Sequence, residues 1–292
     1  MMRPPSLDLA VIGNSNIAAL VDRGGTLVWG CWPRLDGDPI FSALVDGEAP
    51  ETGFFSIGFD GEAEVEQTYV RNTAVVRTVA TDAHGASFAI TDFVPRFRQF
   101  GRVYRPLMIV RLVEPLAGLP RIRVRARPRG GDGSRPTVVV GSNHMRWSWE
   151  GGAIRLTTDA SINHLVGESG FVLTRPLAFV LHPDETLGDG AGRIARDFLE
   201  KTTEWWLDWS RSLNVPREWQ AAVIRAAITL QLCAFEDTGA IVAALTTSVP
   251  EAPGTERTWD YRFCWIRDAF CTVHALNRVG ATPTMERFID YV

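Results

Sequence analysis

From Leu7 to about His182 the apolar residues fall in short runs, each closed by Gly, Pro, Asn or Asp. Asp22-Arg23-Gly24-Gly25 followed by Leu27–Trp32 reads as a hairpin turn leading into a strand. The stretch Thr73–Phe97 reads as a second hairpin, its two β-rich runs meeting at Asp82-Ala83-His84-Gly85. Further runs of strand character lie at 107–116, 136–143, 144–159 and 170–183. Many short strands at intervals of about 8–12 residues, with no helical pattern between them, predict a sandwich or barrel. Arg121, Arg123, Arg125, Arg127 and Arg129 alternate with Ile122, Val124 and Ala126, which puts the arginines on one face of a strand. A solvated outer face explains them better than a nucleic-acid stripe. Trp147 and Trp149 also share one strand face, as sandwich core in preference to a carbohydrate platform.

The period changes near Leu187–Gly190. From Ala191 onward it is helical, with Ile194, Phe198, Trp205 and Trp209 on one stripe. Trp205, Trp206 and Trp209 read as a helix packed between two layers in preference to a glucan contact. Asn214-Val215-Pro216 breaks the pattern. A second helix follows with Trp219, Val223, Ala226, Ala227 and Leu230 along one side, ending at Asp237-Thr238-Gly239. After an irregular segment, 264–280 forms another helix closed by Gly280. A last helix opens with Thr282 as N-cap and Pro283 in its first turn.

Composition adds exclusions. The 292 residues are 46% hydrophobic and 22% charged, with formal net charge −4 and 10 tryptophans. This balance gives no electrostatic reason for a nucleic-acid or anionic-membrane partner. The N-terminus lacks a secretory pattern and no run reaches the roughly 18–20 apolar residues of a membrane span, so a cytoplasmic protein is expected. Cys31, Cys233, Cys264 and Cys271 show no metal or CxxC spacing and read as free thiols. His84, His144, His164, His182 and His274 are scattered, so no metal is expected, and no cofactor. The Val11–Asn16 stretch lacks the Gly-Lys-Ser/Thr ending of a phosphate loop.

The chemistry concentrates in Glu256–Phe270, ERTWDYRFCWIRDAF. Arg267 is a planar donor fork and Asp268 an acceptor-only carboxylate. A vicinal diol needs both, since each hydroxyl donates and accepts. Tyr261 and Trp265 add aromatic faces four residues apart, one wall if the segment is helical. The rival reading is a buried Arg–Asp pair wedged between core aromatics. Of the nearby carboxylates, Glu251 reads as ordering its loop, and Asp268 beside Arg267 suits an acceptor rather than a proton donor.

The blocks GAIVAALTTSVPE and ERTWDYRFCWIRDAF, with LDLAVIGNSNIAALVDRGGTLVWGCWPRLDGDPIF near the N-terminus, resemble bacterial members of glycoside hydrolase family 15. That family holds glucoamylase-like, glucodextranase-like and trehalase-like enzymes. The resemblance implies an N-terminal β-supersandwich at residues 1–190, a linker helix at 191–215, and an (α/α)6 barrel beginning at 216–292, incomplete here. It implies that Tyr261, Trp265, Arg267 and Asp268 bind the non-reducing glucose, with Trp259, Asp260 and Arg262 shaping the same pocket. It implies inversion by two glutamates, expected beyond Val292, so the isolated chain is expected to be inactive. The implied partner is an α-glucoside or α-glucan, cleaved to release glucose from non-reducing ends. Trehalose cleavage and a non-catalytic carbohydrate-binding or assembly module stand as alternatives; a sugar phosphorylase should lack this Trp-Ile-Arg-Asp block. Apolar helix faces of an incomplete barrel would also favour a homo-oligomer.

Overall fold

The computed structural model describes residues 6–46, 50–131, 133–252 and 255–292. The first five residues, part of the N-terminus read as lacking a secretory pattern, lie outside them. Two antiparallel sheets face each other. The first runs in the order Ala10–Gly13, Ala18–Val21, Leu27–Trp32, Phe54–Phe59, Arg121–Arg127, Phe171–Val172, with Asp38–Phe41 also paired to Leu27–Trp32. The second has eight strands, in the order Thr137–Val140, His144–Trp149, Gly152–Thr158, Leu177–His182, Ile109–Ala117, Ser87–Phe93, Val76–Asp82, Ala63–Tyr69. Both expected hairpins form. Asp22 accepts from the amides of Gly25 and Thr26, and Gly85 turns the other hairpin at φ 81°. A shared core of Ile12, Val21, Phe41, Phe55, Phe88, Ile90, Trp147 and Phe179 fills the space between the sheets.

Alternation holds where one sheet face meets water. Ile122 and Val124 are buried while Arg121, Arg123 and Arg125 are exposed. Of the five alternating arginines three have acidic partners among the described residues, Arg123 2.5 Å from Asp60, Arg127 forking onto Glu168 at 2.6 Å and Arg129 3.1 Å from Asp46. Elsewhere alternation disappears. Leu27–Trp32 is buried at every position because its inner face meets the second sheet and its outer face meets helices. Within the sandwich, Arg111 and Asp92 are both 0% exposed and joined by two bonds of 2.7 and 3.1 Å. Arg111 also donates to the carbonyls of Phe55, at 2.6 Å, and Gly25, so its fork ties the second sheet to a strand and a turn of the first.

The helices are α1 (Ile162–Val166), α2 (Ala191–Arg211), α3 (Gln220–Cys233), α4 (Ile266–Arg278) and α5 (Thr282–Tyr291). The short α1 interrupts the strand region and carries no periodicity long enough to read. In α2 the buried stripe is Ala191, Ala195, Thr202, Trp206 and Ser210, one step around from the expected one. Ile194, Phe198, Trp205 and Trp209 flank it, half-buried. Trp206 packs against Val11, Leu20 and Trp29 of the first sheet and Ile228 and Leu232 of α3. In α3 the buried face is Ile224, Ala227, Ile228, Gln231 and Leu232. Trp219 is instead the N-cap, at φ 61°, and 79% exposed; the left-handed backbone turns it away from the stripe. The helix ends at Cys233, short of Gly239, where a bridge between Ala234 and Ile241 takes over. For α5, Ala281 is the cap and Thr282 already lies inside the helix.

The stretch Gly13–Asn16 joins the layers. Ser15 at φ 71° donates to the carbonyl of Gln231 in α3 at 2.9 Å, and Asn14 donates to the carbonyls of Pro95 and Pro106. Beside it, Arg96 reaches Glu236 at 2.5 Å and the Asn14 carbonyl at 2.7 Å, with its guanidinium 4.0 Å above the Trp205 ring. Glu236, its side chain 5% exposed, also takes Gln231 at 2.7 Å, and Arg105 and Arg287 approach it at 3.5 and 3.6 Å. Gly239 is the close approach beneath this network: at φ 85°, a Cβ there would run into the Arg287 carbonyl oxygen.

Two outcomes follow from buried charge. Arg111→Met leaves the buried Asp92 carboxyl without its partner, and should cost about 3–5 kcal/mol in urea unfolding, with much of it recovered in Arg111→Met/Asp92→Leu. A single-variant loss under about 1 kcal/mol would refute this. His182, buried and bonded to Thr157 at 2.8 Å, has its pKa pushed down by burial from 6.5 to about 4. The unfolded chain therefore takes up this proton first, and stability drains as pH falls from 6.5 towards 4, by up to ~3 kcal/mol. His182→Gln should flatten that limb of a stability-against-pH curve; an unchanged slope would rule the assignment out.

Candidate functional site

Residues 243–252 and 255–265 are irregular, and their backbone bonds explain their course. The Ala243 amide donates to the Tyr261 carbonyl at 2.9 Å, and the Trp265 indole donates to the Asp260 carbonyl at 3.0 Å. Asp260 turns the chain on itself, accepting from the Arg262 amide at 3.0 Å. This local competition keeps the segment out of helix until Ile266. The expectation that Tyr261 and Trp265 share a helix wall is corrected accordingly. Both precede α4, Trp265 serving as its N-cap, yet the turn still brings their rings to 6.0 Å.

The remaining side chains divide into two groups. Arg262 forks onto Asp260 at 2.8–3.1 Å and approaches Asp38 of the sandwich at 3.7 Å. The Arg262 bonds hold the Asp260 carboxyl below its usual range. These two close the loop and face the first sheet, near buried Cys31, whose thiol burial pushes up to about 12. Arg267 and Asp268, by contrast, stand at the start of α4, 3.2 Å apart, with side chains 76% and 32% exposed. Asp268 lies in the first turn, where the helix N-terminus favours a carboxylate. Its Oδ2 is buried and lies against Arg267 Nη2 in that ion pair, without a well-aligned hydrogen bond among the described residues. An oxygen so placed retains acceptor capacity for an incoming hydroxyl. Trp259 is exposed, and Phe263, Ile266 and Phe270 more strongly so.

One expected role and one unforeseen contact complete the site. Glu251 orders its loop as expected: ten residues before Tyr261, it accepts its hydroxyl and an Arg257 contact at 3.1 Å. The Tyr261 bond is the main cause holding the Glu251 carboxyl below the usual range, and it raises the Tyr261 phenol in return. Asp38 arrives from the sandwich, more than two hundred residues away in the chain. No group of three or more His, Cys, Asp or Glu side chains fit to hold a metal occurs among the described residues. Nor is any helix among them long and apolar enough to cross a membrane.

Loss of the Asp260 clamp is measurable. Asp260→Ala should speed amide exchange across residues 259–265 by roughly fivefold to tenfold, about 1–1.4 kcal/mol, with the sandwich strands unaffected. Unaltered exchange in the segment would mean the clamp does not order it.

The chain matches two family models, Trehalase-like, N-terminal over residues 3–140 and Glycosyl hydrolases family 15 over residues 219–290. Relatives named trehalase align along nearly all of it. That of Thermoplasma volcanium is 29% identical over 293 residues, covering 92% of this chain and 44% of the relative. That of Mycobacterium tuberculosis is 27% identical over 322 residues, covering 99% and 46%. Trehalase 2 of Sulfolobus acidocaldarius is 24% identical over 301 residues, covering 98% and 48%. The chain thus spans about half the length of the curated relatives it matches. A trehalase-like N-terminal match and a Glycosyl hydrolases family 15 match thus follow one another along this chain.

Proposed function

We propose that the protein carrying this chain is an inverting glycoside hydrolase acting on α,α-trehalose, and that residues 259–268 hold one of its glucose rings. The observation that carries this reading is the partly exposed Arg267–Asp268 pair beside the tilted rings of Tyr261 and Trp265, 6.0 Å apart. The aromatic faces suit the C–H side of a pyranose, and the donor fork with the open acceptor suits adjacent hydroxyls. Trehalose takes precedence over α-glucan ends because the relatives named above are trehalases and the sandwich half is trehalase-like. The family 15 segment favours neither substrate over the other. In the same reading residues 1–190 are the supersandwich, 191–215 the linker helix and 216–292 the first part of an (α/α)6 barrel.

Inversion requires a carboxylic acid to protonate the glycosidic oxygen and a carboxylate, roughly 6.5–9.5 Å from it, to activate water on the opposite face. The carboxylates around the loop do not meet that need. Glu251 and Asp260 are held ionised by Tyr261 and Arg262, and Asp268 lies against Arg267. They accept hydroxyl bonds rather than give protons. The loop therefore holds and orients the ring, and the acid and base are assigned to other glutamates of the protein.

The test is turnover on trehalose, maltose and maltooligosaccharides. Trehalose should be cleaved fastest, with one β-glucose released per bond broken. Arg267→Ala should lower kcat/KM by roughly 10- to 100-fold, about 1.5–3 kcal/mol. Kinetics unchanged by that substitution would remove the loop from the site, and sugar binding without turnover would favour a binding module.

A further inference from the structure

A second cleft lies between the strand Phe97–Gln99 and helix α2 with its C-cap Ser212, elements that supply none of residues 259–268. It encloses about 430 Å³. Its floor is aromatic, formed by buried Phe97 and half-buried Trp205 and Trp209. The two indoles are one helical turn apart, their planes within 14° and their centroids 6.4 Å apart. Their orientation is fixed from behind. The Arg96 guanidinium lies 4.0 Å from the Trp205 ring, and Trp206 packs edge-on to both Trp205 and Trp209. The rim is polar and mixed in sign, with Arg98, Lys201, Glu204 and Asp208. Lys201 is paired with Asp197 and Asp208 with Arg211, while the side chains of Arg98 and Glu204 have no hydrogen-bond or ion-pair partner among the described residues.

The composition selects a ligand class. Two positive and two negative groups cancel, so the cleft offers no net attraction to a phosphate, a nucleotide or a charged peptide. Parallel indole rings above a rim of donors and acceptors match molecules with one flat C–H face and hydroxyls at the edge. We propose that this cleft binds a neutral oligosaccharide, with neighbouring sugar rings resting on Trp205 and Trp209 and their hydroxyls bonded to Glu204, Asp208 and Arg98. The site is independent of the hydrolytic reading: it holds sugar without cleaving it, and stands whether or not residues 259–268 do as proposed.

The test is a titration of the 292-residue chain with maltotriose, followed through the indole N–H signals of Trp205 and Trp209, each assigned by a Trp→Phe variant. Both signals should shift, with an apparent Kd on the order of 1 mM. Glu204→Gln/Asp208→Asn, at exposed positions that leave the helix packing alone, should weaken binding at least fivefold. Arg267→Ala should leave these shifts intact, and glucose 6-phosphate should produce smaller ones than maltotriose. Silent Trp205 and Trp209 signals, or binding unaltered in the Glu204/Asp208 variant, would overturn the proposal. Shifts confined to Trp259 or Trp265 would do the same while supporting the loop as the sugar site.

Discussion

The structure depends on a charge that water cannot reach. Arg96 sits at the seam between sandwich and helices, and burial pushes its pKa down even though Glu236 opposes the shift. A buried guanidinium is tolerable only when its charge is opposed, and Glu236, the Asn14 carbonyl and the Trp205 face do this from three different segments, while its Nε–H has no partner among the described residues. Removing Glu236 would strand a charge rather than merely weaken a contact. The seam therefore specifies one relative placement of strands and helices. A purely apolar surface of the same area would tolerate sliding.

That placement matters for the candidate site, which is not built by the helices alone. Arg262 divides its fork between Asp260 in its own turn and Asp38 on the first sheet. Tyr261 is held by Glu251 on the preceding loop. The pair Arg267 and Asp268 projects from the start of α4, whose inner face packs through Ala269, Thr272 and Leu276. A rigid scaffold thus presents a polar cluster on a helix N-terminus, with its aromatic neighbours set by a turn.

Much of this was legible in the chain itself, and the misses have physical causes. Hairpins announced by Asp-Arg-Gly-Gly and Asp-Ala-His-Gly formed where expected, because turn chemistry is local. The arginine alternation at 121–127 was legible because that strand keeps one face in water. The buried stripes of α2 and α3 were misjudged because tryptophan reads as core by type. Trp219 is excluded by its left-handed backbone, and Trp205 keeps one face open. Of the site, the aromatic and Arg–Asp composition and the loop-ordering role of Glu251 were visible, but the contact of Asp38 was not. That contact depends on distant chain segments meeting, which no spacing rule encodes.

At Gly239 the backbone of α5 passes where any side chain would have to be, and the Arg287 whose carbonyl fills that space is the same residue whose guanidinium nears Glu236. The separation of α3 from α5 is therefore gauged by a missing atom. A single methyl group there would act as a wedge, lifting the last helix and its arginine from the seam, and the error would be felt at the joint between layers rather than where it was made.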